Sequence, residues 1–189
     1  VLALMRDLRV PIVSTLHTVL EKPNDDQFRV MQKLCELSSR VVVMSDRSRR
    51  FLIEIYGVRE EKIDLIFHGI PDMPFVDSNF FKDQFDVEGK FVALTFGLLS
   101  PNKGIEHVLN AMPRILAQSP DFVYIILGAT HPNLVREQGE TYRLSLERLA
   151  QRLNIKKHVI FYNRFVELRE LTDFIGAADI YITPYLNPA

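Results

Sequence analysis

A single cysteine, Cys35, stands in a chain of 189 residues. That scarcity excludes an internal disulfide framework and fits a reducing, cytoplasmic compartment. Cys35 lies in an apolar helical pattern and reads as a small core residue rather than a reactive thiol. No stretch approaches the roughly 18 consecutive apolar residues of a membrane span, and no charged, apolar, small-residue signal opens the chain. Charge of one sign is lacking too. The 23 Lys and Arg residues nearly balance 24 Asp and Glu, for a net charge of -1, which weighs against nucleic acid as a main partner. No H-E-x-x-H or C-x-x-C spacing occurs, so no protein-held metal is expected. G-x-S-x-G, the nucleophile elbow, is absent. So are G-x-x-x-x-G-K-[ST], the phosphate loop of nucleotide hydrolases, and G-x-G-x-x-G, the dinucleotide fingerprint.

What is present is an ordinary globular composition, 47% hydrophobic and 25% charged, arranged as alternating strands and helices. The most informative stretch runs from Phe91 to Ala117, FVALTFGLLSPNKGIEHVLNAMPRILA. Phe91 to Gly97 is an almost unbroken apolar run, as in a strand buried on both faces of a parallel sheet. From Ile105 the apolar residues Val108, Leu109, Met112, Ile115 and Leu116 follow the period of a helix with one face on a core. Between them lies a loop, Leu98 to Gly104. Loops that leave the carboxyl end of a parallel strand and enter a helix collect amide N–H groups and the positive end of the helix dipole, so an anion is their natural guest. Gly97 lets a ligand approach the backbone, and Lys103 adds a positive charge at a helix start, where it opposes the dipole. From spacing alone, an ordinary turn with a solvated lysine remains open.

Along the rest of the chain, Val1 to Arg9 reads as a helix and Val10 to Leu16 as a buried strand closed by His17 and Thr18. Gln27 to Ser38 is helical, Arg40 to Met44 a buried strand, and Ser45 caps a helix that runs towards Gly57. Ile63 to Phe67 is a strand, and the turn formers of HGIPDMP mark a domain boundary, giving domains 1–72 and 73–189. Asn79 to Lys90 reads as a polar connection dotted with aromatics. Phe122 to Leu127 is a strand and Ala129 to Gly139 a loop. Glu140 to Leu153 is a helix, His158 to Tyr162 a strand, Glu167 to Ala177 a helix and Ile180 to Tyr185 a last strand. The alternation predicts an α/β fold with parallel sheets and right-handed crossovers. His68 falls in the hinge, His107 on the outer side of its helix, His131 in a loop with proline, and His158 at a strand start.

FGLLSPNKG resembles the start of the donor-binding domain in the large retaining glycosyltransferase family 4, whose fold is GT-B with two Rossmann-like domains. SSRVVVMSDRSRRFL is similar to the last strand and helix of a GT-B acceptor domain. KIDLIFHGIPD resembles the interdomain hinge, with His68-Gly69 where Asn-Gly is usual. AADIYITPYLNPA resembles the strand that leads to the donor-sugar loop.

The resemblance implies that the whole protein moves a hexose from a nucleotide diphosphate sugar to a carbohydrate or lipid-linked acceptor with retention. It implies no cofactor and no metal, and leaves room for peripheral membrane contact. Lys103 is then the ligand of the donor diphosphate, with Gly97, Ser100 and Gly104 beside it. Arg164, Phe165 and Val166 mark the nucleotide-base region. His17 faces the reacting sugar as the catalytic candidate, and Thr18 lies in the acceptor region. Leu98 departs from the pattern, since many members carry arginine there as a second phosphate ligand. The E-x7-E carboxylates of retaining members belong at or just past Pro188-Ala189, so the chain reads as a truncated piece, inactive as it stands. Another GT-B enzyme, an epimerase or phosphorylase, and a non-catalytic nucleotide-sugar-binding protein are the alternatives.

Overall fold

The structure is a computed structural model that describes residues 1–70, 72 and 76–186. It divides into two compact units, Val1–Met73 and Pro74–Pro188 apart from the terminal Ala189, each an α/β layer arrangement around a parallel sheet.

In the first unit α1 (Leu2–Asp7) precedes β1 (Val13–Leu16), α2 (Asp25–Leu37), β2 (Arg40–Val43), α3 (Asp46–Glu54) and β3 (Ile63–Leu65). The strands pair in parallel in the order β1-β2-β3. α2 and α3 start where side chains can answer the first amide groups, which lack intrahelical acceptors. Asn24 and Gln27 form a reciprocal capping box on α2 (2.8 and 2.9 Å), and Ser45 accepts from the Ser48 amide on α3 (3.1 Å). Val41, Val43 and Leu52 are fully buried and pack with Leu16, Cys35, Tyr56 and Ile63. Burial pushes the Cys35 thiol above its ordinary value, with Lys62 opposing, in keeping with a core role. The expected buried strand from Val10 is shorter than expected. β1 begins at Val13 and lies on the sheet edge, with Val10 61% and Val13 60% exposed.

In the second unit the order is α4 (Asn79–Lys82), β4 (Phe91–Phe96), α5 (Ile105–Gln118), β5 (Phe122–Leu127), α6 (Pro132–Gln138), α7 (Thr141–Arg152), β6 (Val159–Tyr162), α8 (Leu168–Ala177) and β7 (Ile180–Tyr181). The parallel strands are ordered β6-β5-β4-β7. Successive residues of β4 and β5 serve opposite layers, as the two-residue period of a strand requires. Ala93, Phe122, Tyr124 and Ile126 pack towards α5 and α7, whereas Val92, Leu94, Val123, Ile125 and Leu127 pack towards α8 and the segment with Phe81, Phe85 and Val87. All six residues of β5 are buried.

Two expected loops contain helices. The connection Asn79 to Lys90 begins with α4, whose Lys82 is 3% exposed, and the loop Ala129 to Gly139 contains α6. Pro132 takes a helix-start position that needs no N–H, and His131 Nδ1 accepts from the Asn133 amide (3.2 Å).

The order β6-β5-β4-β7 has a functional consequence. From β4 the chain moves outward to β5 and β6, then returns to pair on the other side of β4 as β7. The loops after β4 and β7 therefore leave neighbouring strands where the strand order reverses, the place where open α/β sheets hold ligands.

Candidate functional site

β4 ends at Gly97, whose amide still donates to the Leu127 carbonyl (3.0 Å). Gly97 has φ +115, and a Cβ added there would lie 3.2 Å from Lys103 Nζ. Glycine therefore serves a local need: it lets the lysine ammonium fold back over the strand end. Gly128, closing β5, has φ +149, and its added Cβ would meet the Gly97 carbonyl oxygen at 2.0 Å. The two strand ends meet backbone to backbone, in a way that side chains forbid.

Pro101–Lys103 forms a short 3-10 turn, in which the Ser100 carbonyl accepts from the Lys103 amide (2.9 Å) and the Pro101 carbonyl from the Gly104 amide (3.0 Å). Gly104 then starts α5 in the left-handed region, φ +61, with no side-chain cap. A Cβ on Gly104 would lie 2.2 Å from the Pro184 carbonyl oxygen. Gly97 and Gly104 donate their amides to the Leu127 and Pro101 carbonyls. Both N–H groups are engaged within the fold, and what the glycines provide is room. Ser100 is half-buried at the turn entrance.

A cleft lies at the carboxyl ends of β4, β5 and β6. Phe96, Gly97 and Leu98 line one side, Leu127, Gly128 and Ala129 the floor, and Arg164, Phe165, Val166 and Leu171 the other side. The loop expected to hold phosphate and the segment expected at the base thus border one cavity. Leu98 faces it as an apolar wall. Arg164 makes a two-pronged ion pair with Glu170, with Nη1 to Oε2 at 2.9 Å and Nη2 to Oε1. The carboxylate beside it raises the guanidinium further above its ordinary value. Arg164 charge is therefore largely offset, whereas Phe165, 80% exposed, presents an open aromatic face.

Lys103 has a partner that sequence inspection misses. Its Nζ donates to the Tyr185 hydroxyl (2.7 Å) and lies 3.9 Å from the centre of the Tyr185 ring. Tyr185 comes from the loop after β7, 82 residues along the chain. That loop is fixed from beneath. Tyr124 donates to Thr95 Oγ1 (2.7 Å), and Thr95 donates in turn to the Ile182 carbonyl (2.6 Å). Leu186 N–H also bonds the Asn102 carbonyl (3.0 Å).

In the first unit His17 and Thr18 are exposed at the carboxyl end of β1. The rings of His17 and His68 are 6.0 Å apart, so His68 joins His17 at the same sheet end. Sequence spacing gives no sign of this, because β2 separates the strands that carry them. Among the described residues no group of three or more His, Cys, Asp or Glu side chains could hold a metal ion. The positions expected for the first E-x7-E carboxylate, Pro188 and Ala189, lie outside the described residues, as do Pro71, Met73 and Pro74 of the expected boundary.

A family model for glycosyl transferases group 1 matches residues 77–187, and one for glycosyltransferase family 4 matches residues 1–72. The chain belongs to the group 1 glycosyltransferases. It is 24% identical over 180 residues to the putative glycosyltransferase YtcC of Bacillus subtilis, covering 90% of this chain and 43% of YtcC. It is 26% identical over 179 residues to a phosphatidyl-myo-inositol mannosyltransferase of Mycolicibacterium smegmatis, covering 94% and 42%. Among solved structures, Anabaena Alr3699/HepE in complex with UDP and glucose superposes with TM-score 0.76 at 23% identity, covering 95% of this chain and 48% of that one. The sucrose-phosphate synthase of Thermosynechococcus elongatus gives 0.75 at 20%, covering 97% and 46%. These likenesses establish the GT-B fold. The chain spans about half the length of the glycosyltransferases it matches.

Proposed function

We propose that this chain carries the donor-diphosphate site of a retaining glycosyltransferase that moves a hexose from a nucleotide diphosphate sugar to a carbohydrate or lipid-linked acceptor. The observation that carries this reading is the position of Lys103 Nζ over Gly97 at the switch point of the sheet, Gly97 itself lining a cleft that continues to Phe165. In the reaction the bond from the anomeric carbon to the phosphate oxygen breaks and the acceptor hydroxyl oxygen bonds that carbon, its proton passing to the released phosphate oxygen or to water. Negative charge stays on the leaving diphosphate, and stabilising it is the main catalytic burden. Lys103 supplies a positive charge for it without a metal. Phe165 and Val166 border the far side of the cleft, where the base would lie.

In the first unit His17 would donate a hydrogen bond to a sugar hydroxyl or to developing phosphate charge, with Thr18 towards the acceptor. The proposed division is an acceptor side, 1–72, and a donor side, 73–189. UDP and glucose in the Anabaena structure, and the GDP-mannose dependence in the name of a second Mycolicibacterium smegmatis relative, favour testing uridine and guanosine nucleotides first. Leu98 on the cleft wall supports a second reading, a nucleotide-sugar-binding protein without turnover.

The test is calorimetric titration of UDP, GDP and ADP, each with and without sugar, into the protein at the length of its relatives, beside Lys103→Ala. One nucleotide should bind, and the substitution should weaken it by ~1 to 3 kcal/mol, the value of a hydrogen bond to a charged group. No binding, or no effect of the lysine, refutes the donor site. Binding with no sugar transfer to any acceptor marks the second reading.

A further inference from the structure

Lys103 is a flexible side chain that must hold one place if its charge is to meet a diphosphate. An ammonium on a four-carbon stem loses rotamer freedom when it is fixed, and that loss weakens binding unless it is met before the ligand arrives. Arg164 already pairs with Glu170, in an ion pair open to solvent. Lys103 makes no ion pair among the described residues. Three contacts nevertheless fix it. The bare Cα of Gly97 leaves space for Nζ, the Tyr185 hydroxyl accepts one of its protons at 2.7 Å, and the Tyr185 ring lies 3.9 Å away as a cation–π partner. Two ammonium protons remain for a ligand.

Tyr185 is itself held. The Tyr181 hydroxyl lies 3.5 Å from that of Tyr185, and the Tyr181 ring stacks on Phe96 at 4.8 Å. The Thr95 and Tyr124 hydroxyl chain anchors Ile182 three residues before it.

We propose that Tyr185 is a positioning residue for the donor diphosphate: it clamps Lys103 over Gly97 by a hydrogen bond and its ring face, so that the ammonium is in place before the nucleotide binds. The inference rests on the donor-site reading of Lys103. It adds that the loops after β4 and β7 form one anion clamp, and that removing a neutral hydroxyl with no charge of its own weakens binding of a charged ligand. Burial works to raise the Tyr185 phenol, but its hydrogen bonds with Lys103 and Tyr181 outweigh this and hold it below its ordinary value, which agrees with a hydroxyl that meets the lysine charge directly.

The test is a double-mutant cycle on UDP, GDP and ADP with the protein at the length of its relatives: wild type, Lys103→Ala, Tyr185→Phe and the pair. Phosphorus NMR keeps millimolar affinities measurable, and circular dichroism reports folding. Tyr185→Phe should weaken the bound diphosphate about two- to tenfold, the cost of ordering a long side chain that is no longer held in advance. It should have no effect once Lys103 is alanine. Tyr185→Leu, which also removes the ring face, should weaken binding further with Lys103 present.

An equal loss from Tyr185→Phe in both backgrounds means that the tyrosine acts apart from the lysine, and overturns the clamp. Unchanged or tighter binding by Tyr185→Phe overturns it too, the latter by making Tyr185 a plug. In these cases a weakened Lys103→Ala still leaves the donor site standing. No nucleotide bound by the wild type, or no effect of Lys103→Ala, overturns both.

Discussion

Replacing Lys82 by methionine should cost about 3 kcal/mol of stability, although the residue lines no part of the cleft. Lys82 is 3% exposed, and its Nζ donates to both Asp179 oxygens (3.0 and 2.8 Å) and to the Lys90 carbonyl (2.8 Å). Asp179 also accepts from Ser78 Oγ (3.0 Å) and the Val92 amide (2.7 Å). Methionine preserves most of the apolar stem and removes the charge, leaving Asp179 as a carboxylate with two neutral donors. Removing one partner of a buried pair costs about 3–5 kcal/mol because the other charge is left uncompensated. The Asp179 side chain is 22% exposed, and water at that edge puts the estimate at the lower end.

With a urea slope of about 2 kcal/mol/M, the midpoint should fall by about 1.5 M. The chain has no tryptophan, so far-UV circular dichroism is the readout. Burial pushes the Asp179 carboxyl up, but the bonds from Lys82, Val92 and Ser78 prevail and hold it below its ordinary 3.8. A depressed folded value contributes stability above pH 3.8 that is lost as pH falls through the folded value. The gap between wild type and Lys82→Met should therefore narrow on acidification below that point. A midpoint shift under about 0.4 M, less than 1 kcal/mol by the same slope, or a gap that does not change with pH, refutes the argument that the pair is held away from water.

Two further perturbations separate scaffold from site. Tyr124 is fully buried, and burial pushes its phenol to about 12, with the Thr95 hydrogen bond opposing. A raised folded value means stability present below the ordinary 10.0 and lost as pH rises towards 12, so alkaline unfolding should be blunted in Tyr124→Phe, at a cost of about 1 kcal/mol near neutrality for the lost hydrogen bond. Gly104→Ala places a methyl 2.2 Å from the Pro184 carbonyl at φ +61. It should displace the Tyr185 loop and weaken nucleotide binding about as much as Tyr185→Leu, while thermal denaturation shows a loss of roughly 1–3 kcal/mol for a strained residue.

The parts of the fold legible in the sequence are those where one physical signal covers many residues. β4 and β5 read as doubly buried because unbroken apolar runs leave no polar face, and α5 because five apolar residues keep its period. The missed elements are short. α4 has four residues and α6 seven, too few to repeat a helical period. The buried Lys82 is hidden in a stretch that reads as a polar connection, because its partner lies 97 residues away. β1 reads as buried because apolar content is visible in a sequence and sheet position is not.

The same distinction divides the candidate site. Gly97 and Lys103 are found by spacing because one loop carries both. Tyr185 and His68 are not, because each reaches its partner only through strand order: Tyr185 through the return of the chain to β7 beside β4, His68 across β2. A motif can place a charge at a strand end. Whether that charge is held still depends on which loop the topology folds beside it, and here the apolar wall at Leu98 and the Arg164–Glu170 pair leave the clamp on Lys103 to an aromatic hydroxyl.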